Sequence, residues 1–277
     1  MKMITISQWL KETQTLLKAN GIENGRLDAL ILLEDISGRN RAHLLAHPEL
    51  KLTHEQQCEL QKLLKRRLAH EPLAYIRGKT EFYGREFTLS KDVLEPRPES
   101  ETMLDLLKKL QTNSTELRII DVGTGSGSLA ITAKLEFPRA TVLAIDIDKK
   151  CLAVARSNAR IHQTKIEFIH SDLLMDLESP KPSMTYVVLA NLPYVPDDYQ
   201  INTAALHEPS HAIFGGSDGL ELYRRMFSQS EKLSSVPVFV FTEALPFQHD
   251  ELQNIASTQN FKMIAQDDLI QVFHNYR

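Results

Sequence analysis

The sequence is poor in cysteine. Among 277 residues only Cys58 and Cys151 occur, far apart and without the spacing of metal ligands. Neither a disulfide framework nor a zinc motif is expected, and free thiols packed in the core fit a reducing compartment. The ten histidines also lack metal-ligand spacing, so we predict no metal site.

Long apolar runs are missing too. The first residues lead into polar sequence before any such run forms, so neither a signal peptide nor a membrane span is expected. The formal net charge of −4 does not suggest a protein that holds nucleic acid mainly by electrostatics. We therefore expect a cytoplasmic monomer with no membrane contact and no stable nucleic-acid partner.

The overall composition, with 42% hydrophobic and 25% charged residues, is typical of a soluble globular protein. Residues 4 to about 70 carry leucines at helical spacing, with Ser7 and Thr53 as candidate helix caps. This pattern predicts a small helical bundle over residues 1–72. The bundle has no glycine-rich, metal or nucleophile signal, so its natural role is binding or docking.

The character of the sequence changes at Glu71-Pro72. Short strand-like patches around glycines predict a hairpin or extended connector over 73–95, followed by a large domain over 96–277. Strands are predicted near 118–122, 141–145, 166–170, 186–190 and 236–242, with a weaker one at 269–273. Helices are predicted near 99–110, 128–136, 149–162, 220–232 and 247–260. This alternation predicts an α/β protein, with a doubly wound, mostly parallel sheet covered by helices on both faces.

The sharpest local signal is a glycine loop between the first of these strands and its helix. Asp121 precedes the loop, whose residues are Gly123, Thr124, Gly125, Ser126 and Gly127. Glycines let the backbone approach a ligand, and the loop N–H groups face it. A dinucleotide fingerprint would need glycine at Ser128. The Gly-x-Gly-x-Gly pattern instead resembles the Rossmann-like class I methyltransferases that bind S-adenosylmethionine.

Acidic residues follow the next two strands. Asp146 lies about 20 residues beyond the loop, where a carboxylate can accept both ribose hydroxyls; capping a helix is the alternative. Asp172 follows the third strand, and the resemblance implies a contact with the adenine amino group, with Leu173 as an apolar wall. A cap is again the alternative for Asp172. Loops after successive parallel strands converge on one edge of the sheet.

The fourth strand ends in Asn191, Leu192, Pro193 and Tyr194. Asn191 offers one acceptor and two donors, Pro193 fixes the backbone, and Tyr194 supplies a flat face. Alone, the stretch could be a strand that runs into a proline turn. Asn-x-Pro-Tyr, however, resembles methyltransferases that act on planar nitrogens. The carbonyls of Asn191 and Leu192 would then accept the substrate N–H groups, with Asn191, Pro193 and Tyr194 as the catalytic residues and Asn191 also touching the cofactor.

Four further segments resemble the release-factor glutamine methyltransferases. They are 71–78 (Glu-Pro-Leu-Ala-Tyr-Ile-Arg-Gly), 81–84 (Glu-Phe-Tyr-Gly), 95–101 (Glu-Pro-Arg-Pro-Glu-Ser-Glu) and 207–220 (His-Glu-Pro-Ser-His-Ala-Ile-Phe-Gly-Gly-Ser-Asp-Gly-Leu). The resemblance implies methyl transfer to N5 of the glutamine in the Gly-Gly-Gln loop of peptide chain release factors, which the N-terminal helices would contact. Within the third segment, Arg97 is either a structural pin or a substrate-channel residue.

The sequence departs from that family in two places. Leu192 replaces the first proline of the family's Asn-Pro-Pro-Tyr motif, as in adenine-dimethylating ribosomal RNA methyltransferases. The region 267–271 lacks the expected glycine and arginine. Two alternatives therefore stay open. One is an adenine N6-methyltransferase on RNA or DNA, and the other is a catalytically weakened homologue that binds release factors.

Overall fold

The computed structural model describes residues 3–110, 116–177 and 184–276. They form two compact units. The first contains the described residues up to Gly78 together with Asn202–His207, and the second contains Lys79–Ile201 and the described residues from Glu208 onward. The region predicted as a connector, 73–95, falls partly in each unit.

The first unit is helical. Its helices are α1 (Ile6–Ala19), α2 (Gly25–Ser37), α3 (Arg41–Ala46), α4 (His54–Leu68) and α5 (Leu73–Arg77). The cap of α1 is Thr5, which forms a capping box with Gln8, and not the predicted Ser7. Thr53 caps α4 as predicted. A capping box satisfies two backbone N–H groups that a helix start would otherwise leave unpaired.

An apolar core and one ion pair hold the first unit together. Trp9 of α1 packs in a cluster with Leu32 of α2 and Leu60 of α4. Arg67 donates to Asp28 at 2.7 Å, and the two side chains are only 15% and 9% exposed. This pair ties α4 to α2 inside the unit, where losing one partner would strand a nearly buried charge.

The second unit is built on a seven-stranded sheet. Its strands are β3 (Leu117–Val122), β4 (Thr141–Asp146), β5 (Glu167–His170), β6 (Thr185–Ala190), β7 (Phe239–Glu243), β8 (Phe261–Asp267) and β9 (Ile270–Asn275). The strand order is β5-β4-β3-β6-β7-β9-β8. The first five are parallel, and β9 is antiparallel to both of its neighbours. A separate hairpin, β1 (Lys79–Phe82) and β2 (Arg85–Thr88), precedes the sheet.

Helices cover both faces of the sheet, which confirms the predicted α/β class. The helices of this unit are α6 (Glu101–Lys109), α7 (Ser128–Glu136), α8 (Lys149–Ile161), α9 (Glu221–Ser230) and α10 (His249–Thr258). Val188 of β6 packs in a core with Tyr223 of α9, whereas Val187 packs in a second core with Leu129 of α7. Successive strand residues point to opposite faces, so a fully apolar strand is one that is covered on both sides.

The last two strands correct the prediction of a single strand at 269–273. β8 was missed because its apolar residues are interrupted by Lys262 and followed by Gln266 and Asp267: it is the edge strand, and several of its side chains face solvent. Asp268 has a φ of 47° in the two-residue turn between β8 and β9. Aspartate tolerates this left-handed conformation, so the turn forms without the glycine expected from the family. In the described part of the chain, no helix is long and apolar enough to span a membrane.

Candidate active site

Four parallel strands end at one edge of the sheet. Strand register aligns Val122 with Ala190 and Ile145, and Ala190 with Thr242. The residues that follow β3 and β6, and those that close β4 and β7, therefore lie side by side at the carboxyl edge, where open α/β sheets bind their ligands.

The glycine loop after β3 is fixed by its own backbone. The N–H groups of Gly123 and Thr124 donate to Ile145 O at 2.8 and 2.9 Å, and Gly127 N donates to Thr124 O at 2.8 Å. All three loop glycines have positive φ. A side chain at Gly127 would come within 2.9 Å of Ala155 Cβ, whereas one at Gly125 would meet no atom within 4 Å. Gly127 thus allows α7 to approach α8, and Gly125 leaves the space above the loop open.

The buried carboxylate of Asp121 stabilises the glycine loop through hydrogen bonds. Asp121 is 2% exposed. Its Oδ2 accepts from Thr124 Oγ1 at 2.6 Å and from Ala130 N at 3.1 Å. Burial raises the pKa of Asp121 to about 7. Asn158 adds a second brace, because its side chain donates to Ser126 O at 2.9 Å.

Asp146 closes β4 beside the loop. Its Oδ2 accepts from Gly125 N at 2.9 Å, and its Oδ1 accepts from Asp148 N at 2.8 Å. Burial raises its pKa. The cap of α8 is Asp148, which accepts from Lys150 N. The helix-capping role that the sequence left open for Asp146 is therefore filled by Asp148.

Asp172 and Leu173 follow β5. Asp172 forms an ion pair with Arg225 of α9. Leu173 is buried with a φ of 56°. Neither residue, nor Asp146, is among those that line the two clefts described next.

Two clefts open at this edge of the second unit. The first encloses about 440 Å³, solvent at its mouth included, and is lined by Gly123, Thr124, Gly125 and Ser126 of the loop and by Phe82, Pro96 and Ser100. The second encloses about 330 Å³ and is lined by Arg97, Leu192, Pro193, Tyr194, Ile213 and Glu243. Asn191 and Leu94 line both. Asn191 therefore stands where one cleft meets the other.

A chain of hydrogen bonds runs behind Asn191. Its Nδ2 donates to Ser100 Oγ at 2.7 Å, and Ser100 Oγ donates to Glu243 Oε2 at 2.5 Å. Tyr194 OH donates to the other carboxylate oxygen, Oε1, at 3.0 Å. Glu243 is fully buried, and burial raises its pKa to about 6. Burial also raises the pKa of Tyr194, which keeps the phenol protonated and able to donate.

Leu192 turns its side chain into the core. It is 3% exposed, and its Cδ2 lies 3.1 Å from where a Cβ on Gly123 would stand. Its N–H donates to Tyr223 OH at 3.4 Å, and Tyr223 OH donates to Glu243 O at 2.6 Å. Proline has no N–H group, so at this position the chain has a long hydrogen bond to Tyr223 in place of a ring constraint.

Arg97 fits both of the roles that its sequence position left open. It forms an ion pair with the buried Glu208, and it lines the second cleft. Sequence reasoning missed Ser100 and Glu243 as site residues. Ser100 lies inside the 95–101 segment, and Glu243 closes an apolar strand just as Asp146 does. An acidic residue at the end of such a strand was the signal that could have revealed Glu243.

Comparison with known proteins gives matches along most of the chain. Residues 8–78 match the family model described as the PrmC N-terminal domain, and residues 100–208 match the methyltransferase small domain. A 16S rRNA methyltransferase of T. thermophilus, solved with AdoMet and guanosine, is 16% identical with a TM-score of 0.52 and covers 72% of this chain and 50% of its own. A likeness at that identity concerns the fold alone.

Two curated relatives are much more similar in sequence. The release factor glutamine methyltransferase of Coxiella burnetii is 38% identical over 208 residues, which is 74% of this chain and 74% of the relative. That of Koribacter versatilis is 36% identical over 230 residues, or 82% of this chain and 81% of the relative. The chain therefore belongs to the release factor glutamine methyltransferase family.

Proposed function

We propose that this chain transfers a methyl group from S-adenosylmethionine to N5 of the glutamine in the Gly-Gly-Gln motif of a peptide chain release factor. The observation that carries the proposal is the position of Asn191, which is a wall of both clefts. One cleft would hold the donor and the other the amide. Family membership supplies the identity of that amide.

The residues of the first cleft suit the methyl donor. Open space above Gly125 and the free approach to the loop backbone fit a ligand that lies against residues 123–127. Asp146 does not line this cleft but accepts from Gly125 N of the loop, and we assign it to the ribose hydroxyls. Asp172 and Leu173, which follow β5 outside the cleft, are assigned to the adenine end. When bound there, S-adenosylmethionine supplies an electrophilic methyl group.

The second cleft suits a primary amide. Because Asn191 Nδ2 already donates to Ser100, its carbonyl oxygen is the atom left to accept a substrate N–H. The Leu192 carbonyl accepts the second N–H, and Pro193 and Tyr194 bound the planar group. The substrate nitrogen is thereby held with its lone pair directed at the donor.

Rate enhancement then comes mainly from position. The amide nitrogen is a weak nucleophile, so a fixed in-line approach and the removal of water supply most of the gain. The proton leaves the nitrogen after transfer, and no dedicated base is needed. The enzyme acts as a cytoplasmic monomer without a stable nucleic-acid partner, and its helical first unit docks the release factor.

The test is transfer of radiolabelled methyl to a purified release factor. We expect label in the wild-type factor and none in a factor whose Gly-Gly-Gln glutamine is changed to alanine. No transfer to the wild-type factor at saturating cofactor would contradict the proposal. Salt-sensitive labelling of RNA or DNA would favour the adenine alternative, and tight factor binding without turnover would favour the weakened homologue.

A further inference from the structure

Glu243 is a fully buried carboxylate whose two oxygens accept from one residue of each cleft, Ser100 of the first and Tyr194 of the second. Burying a carboxylate is costly unless hydrogen bonds compensate it. A neutral side chain of similar shape would fill the same volume at lower cost. The groups attached to its oxygens give a reason for keeping the charge.

The first oxygen sets the direction of a hydrogen-bond chain. A serine hydroxyl has a single hydrogen. Since Ser100 gives that hydrogen to Glu243 Oε2, it can only accept from Asn191. The Asn191 amide must therefore turn its nitrogen toward Ser100, which leaves its carbonyl oxygen for the cleft. An uncharged acceptor would allow Ser100 to reverse and the amide to flip.

The second oxygen fixes the aromatic side of the cleft. Tyr194 OH donates to Glu243 Oε1 at 3.0 Å. The backbone of Glu243 is itself held, because its carbonyl accepts from Tyr223 OH at 2.6 Å and its N–H donates to the same hydroxyl at 3.3 Å. One rigid carboxylate thus constrains both Asn191 and Tyr194.

We propose that Glu243 is a positioning residue, which orients the Asn191 amide through Ser100 and holds the Tyr194 ring directly, so that the substrate nitrogen faces the methyl donor. The inference rests on the function proposed above for the same cleft. Glu243 itself does not touch the reacting atoms.

A pH dependence follows from this arrangement. Burial raises the pKa of Glu243, and the charge of Glu99 raises it further, whereas hydrogen bonds from Ser100 and Tyr194 and the charge of Arg97 lower it. Tyr223 OH bonds to the backbone of Glu243. With a pKa of about 6, Glu243 is charged at neutral pH and accepts from both hydroxyls. Once protonated it loses its charge and carries a hydrogen of its own, so the bond to the protonated oxygen is weakened or reversed. Activity therefore falls as the pH drops through about 6.

The kinetic test compares Glu243→Gln and Ser100→Ala with Thr242→Val as the matched control. Thr242 is the buried neighbour of Glu243 on the same strand, and its hydroxyl faces Gln271 O and neither Asn191 nor Tyr194. We expect E243Q to lose at least tenfold in kcat, with an unchanged Kd for S-adenosylmethionine, and to lose the acidic limb of the pH profile. S100A should show a smaller loss in kcat, and T242V should behave as wild type. An E243Q enzyme with wild-type kcat and pH profile would overturn the inference.

A second measurement does not depend on turnover. In protein labelled with ¹⁵N-asparagine, the side-chain amide of Asn191, assigned with Asn191→Asp, should shift with a midpoint near the pKa of about 6 of Glu243. The shift should vanish in E243Q and weaken in S100A. An Asn191 signal that is indifferent to pH and to E243Q overturns the inference. If wild-type protein fails to methylate a release factor, the proposed function fails, and the amide titration still decides the role of Glu243.

Discussion

Asn191 uses its two amide atoms differently. The nitrogen is bonded to Ser100, while the oxygen is assigned to the substrate. Truncation at this residue should consequently separate catalysis from donor binding, because the glycine loop keeps its own backbone contacts.

Asn191→Ala is expected to lower kcat by at least tenfold, which corresponds to about 1.4 kcal/mol of barrier, because the substrate nitrogen loses its orientation. Cofactor affinity, measured by calorimetry, should stay close to wild type. Asn254→Ala is the matched control, since Asn254 lies on α10 and bonds to Glu251. A loss below tenfold would show that Asn191 is not the positioning group.

Asp146→Ala should have the opposite signature. It removes a carboxylate that is assigned to the ribose hydroxyls and that accepts from Gly125 N at 2.9 Å, so the Kd for S-adenosylmethionine should rise by about tenfold or more, as loss of charged hydrogen bonds implies. Asp267→Ala, on the exposed edge strand β8, removes an equivalent charge elsewhere. Equal affinities of the two variants in calorimetry would count against the ribose assignment.

At the scale of elements, the turn from β3 into α7 requires glycine for two different reasons, backbone conformation and close packing. Gly125 and Gly127 both have positive φ, but only Gly127 is closely packed, against Ala155. Alanine at either position carries a conformational penalty of about 1–2 kcal/mol. Alanine at Gly127 must in addition displace the backbone of α8.

We therefore predict that Gly127→Ala lowers the free energy of unfolding by about 2–4 kcal/mol, since overpacking adds to the backbone strain. Gly125→Ala should cost about 1–2 kcal/mol and mainly weaken cofactor binding, because its methyl group enters the first cleft. Urea unfolding followed by circular dichroism, together with calorimetry of the donor, distinguishes the two variants. A Gly127→Ala protein as stable as Gly125→Ala would contradict the packing argument.

How far the sequence predicted these elements depended on burial. The run 186–190 was recognisable as a strand because both of its faces are covered, which makes every position apolar. β8 was not, since an edge strand with one exposed face carries polar residues such as Lys262 and Gln266. Local sequence propensity does not indicate which strand will form the uncovered edge of the sheet.

The site was predictable where one loop carries the chemistry, and less so where distant segments meet. Gly123 to Gly127 and Asn191 to Tyr194 stand out as short motifs. The link from Ser100 to Glu243 spans 143 positions and exists only once the sheet has formed. A serine and a glutamate so far apart give no periodic or spacing signal.

At the scale of the whole molecule, the unfolding of the helical unit can be followed by a signal of its own. Trp9, the single tryptophan of the sequence, is buried in the core of the first unit. Its fluorescence therefore reports on that unit. Two ion pairs of this unit can be compared. Arg67 binds Asp28 where both side chains are nearly buried, and Arg77 binds Asp35 where both side chains are about a quarter exposed.

Asp28→Asn should lower the unfolding free energy of the first unit by about 2–4 kcal/mol, as loss of a nearly buried ion pair implies. Asp35→Asn should cost about 1 kcal/mol or less. Identical urea midpoints of Trp9 fluorescence in the two variants would refute the stability prediction.

The segment Asn202–His207 belongs to the first unit although the sheet unit precedes and follows it in sequence. The ring of His207 donates to Ala69 O at 3.0 Å inside that unit. During synthesis on the ribosome, the helices made first must wait for more than a hundred further residues before this contact can form. The part of the protein that is translated first is therefore completed late, after Asn191 to Tyr194 have already left the peptidyl transferase centre.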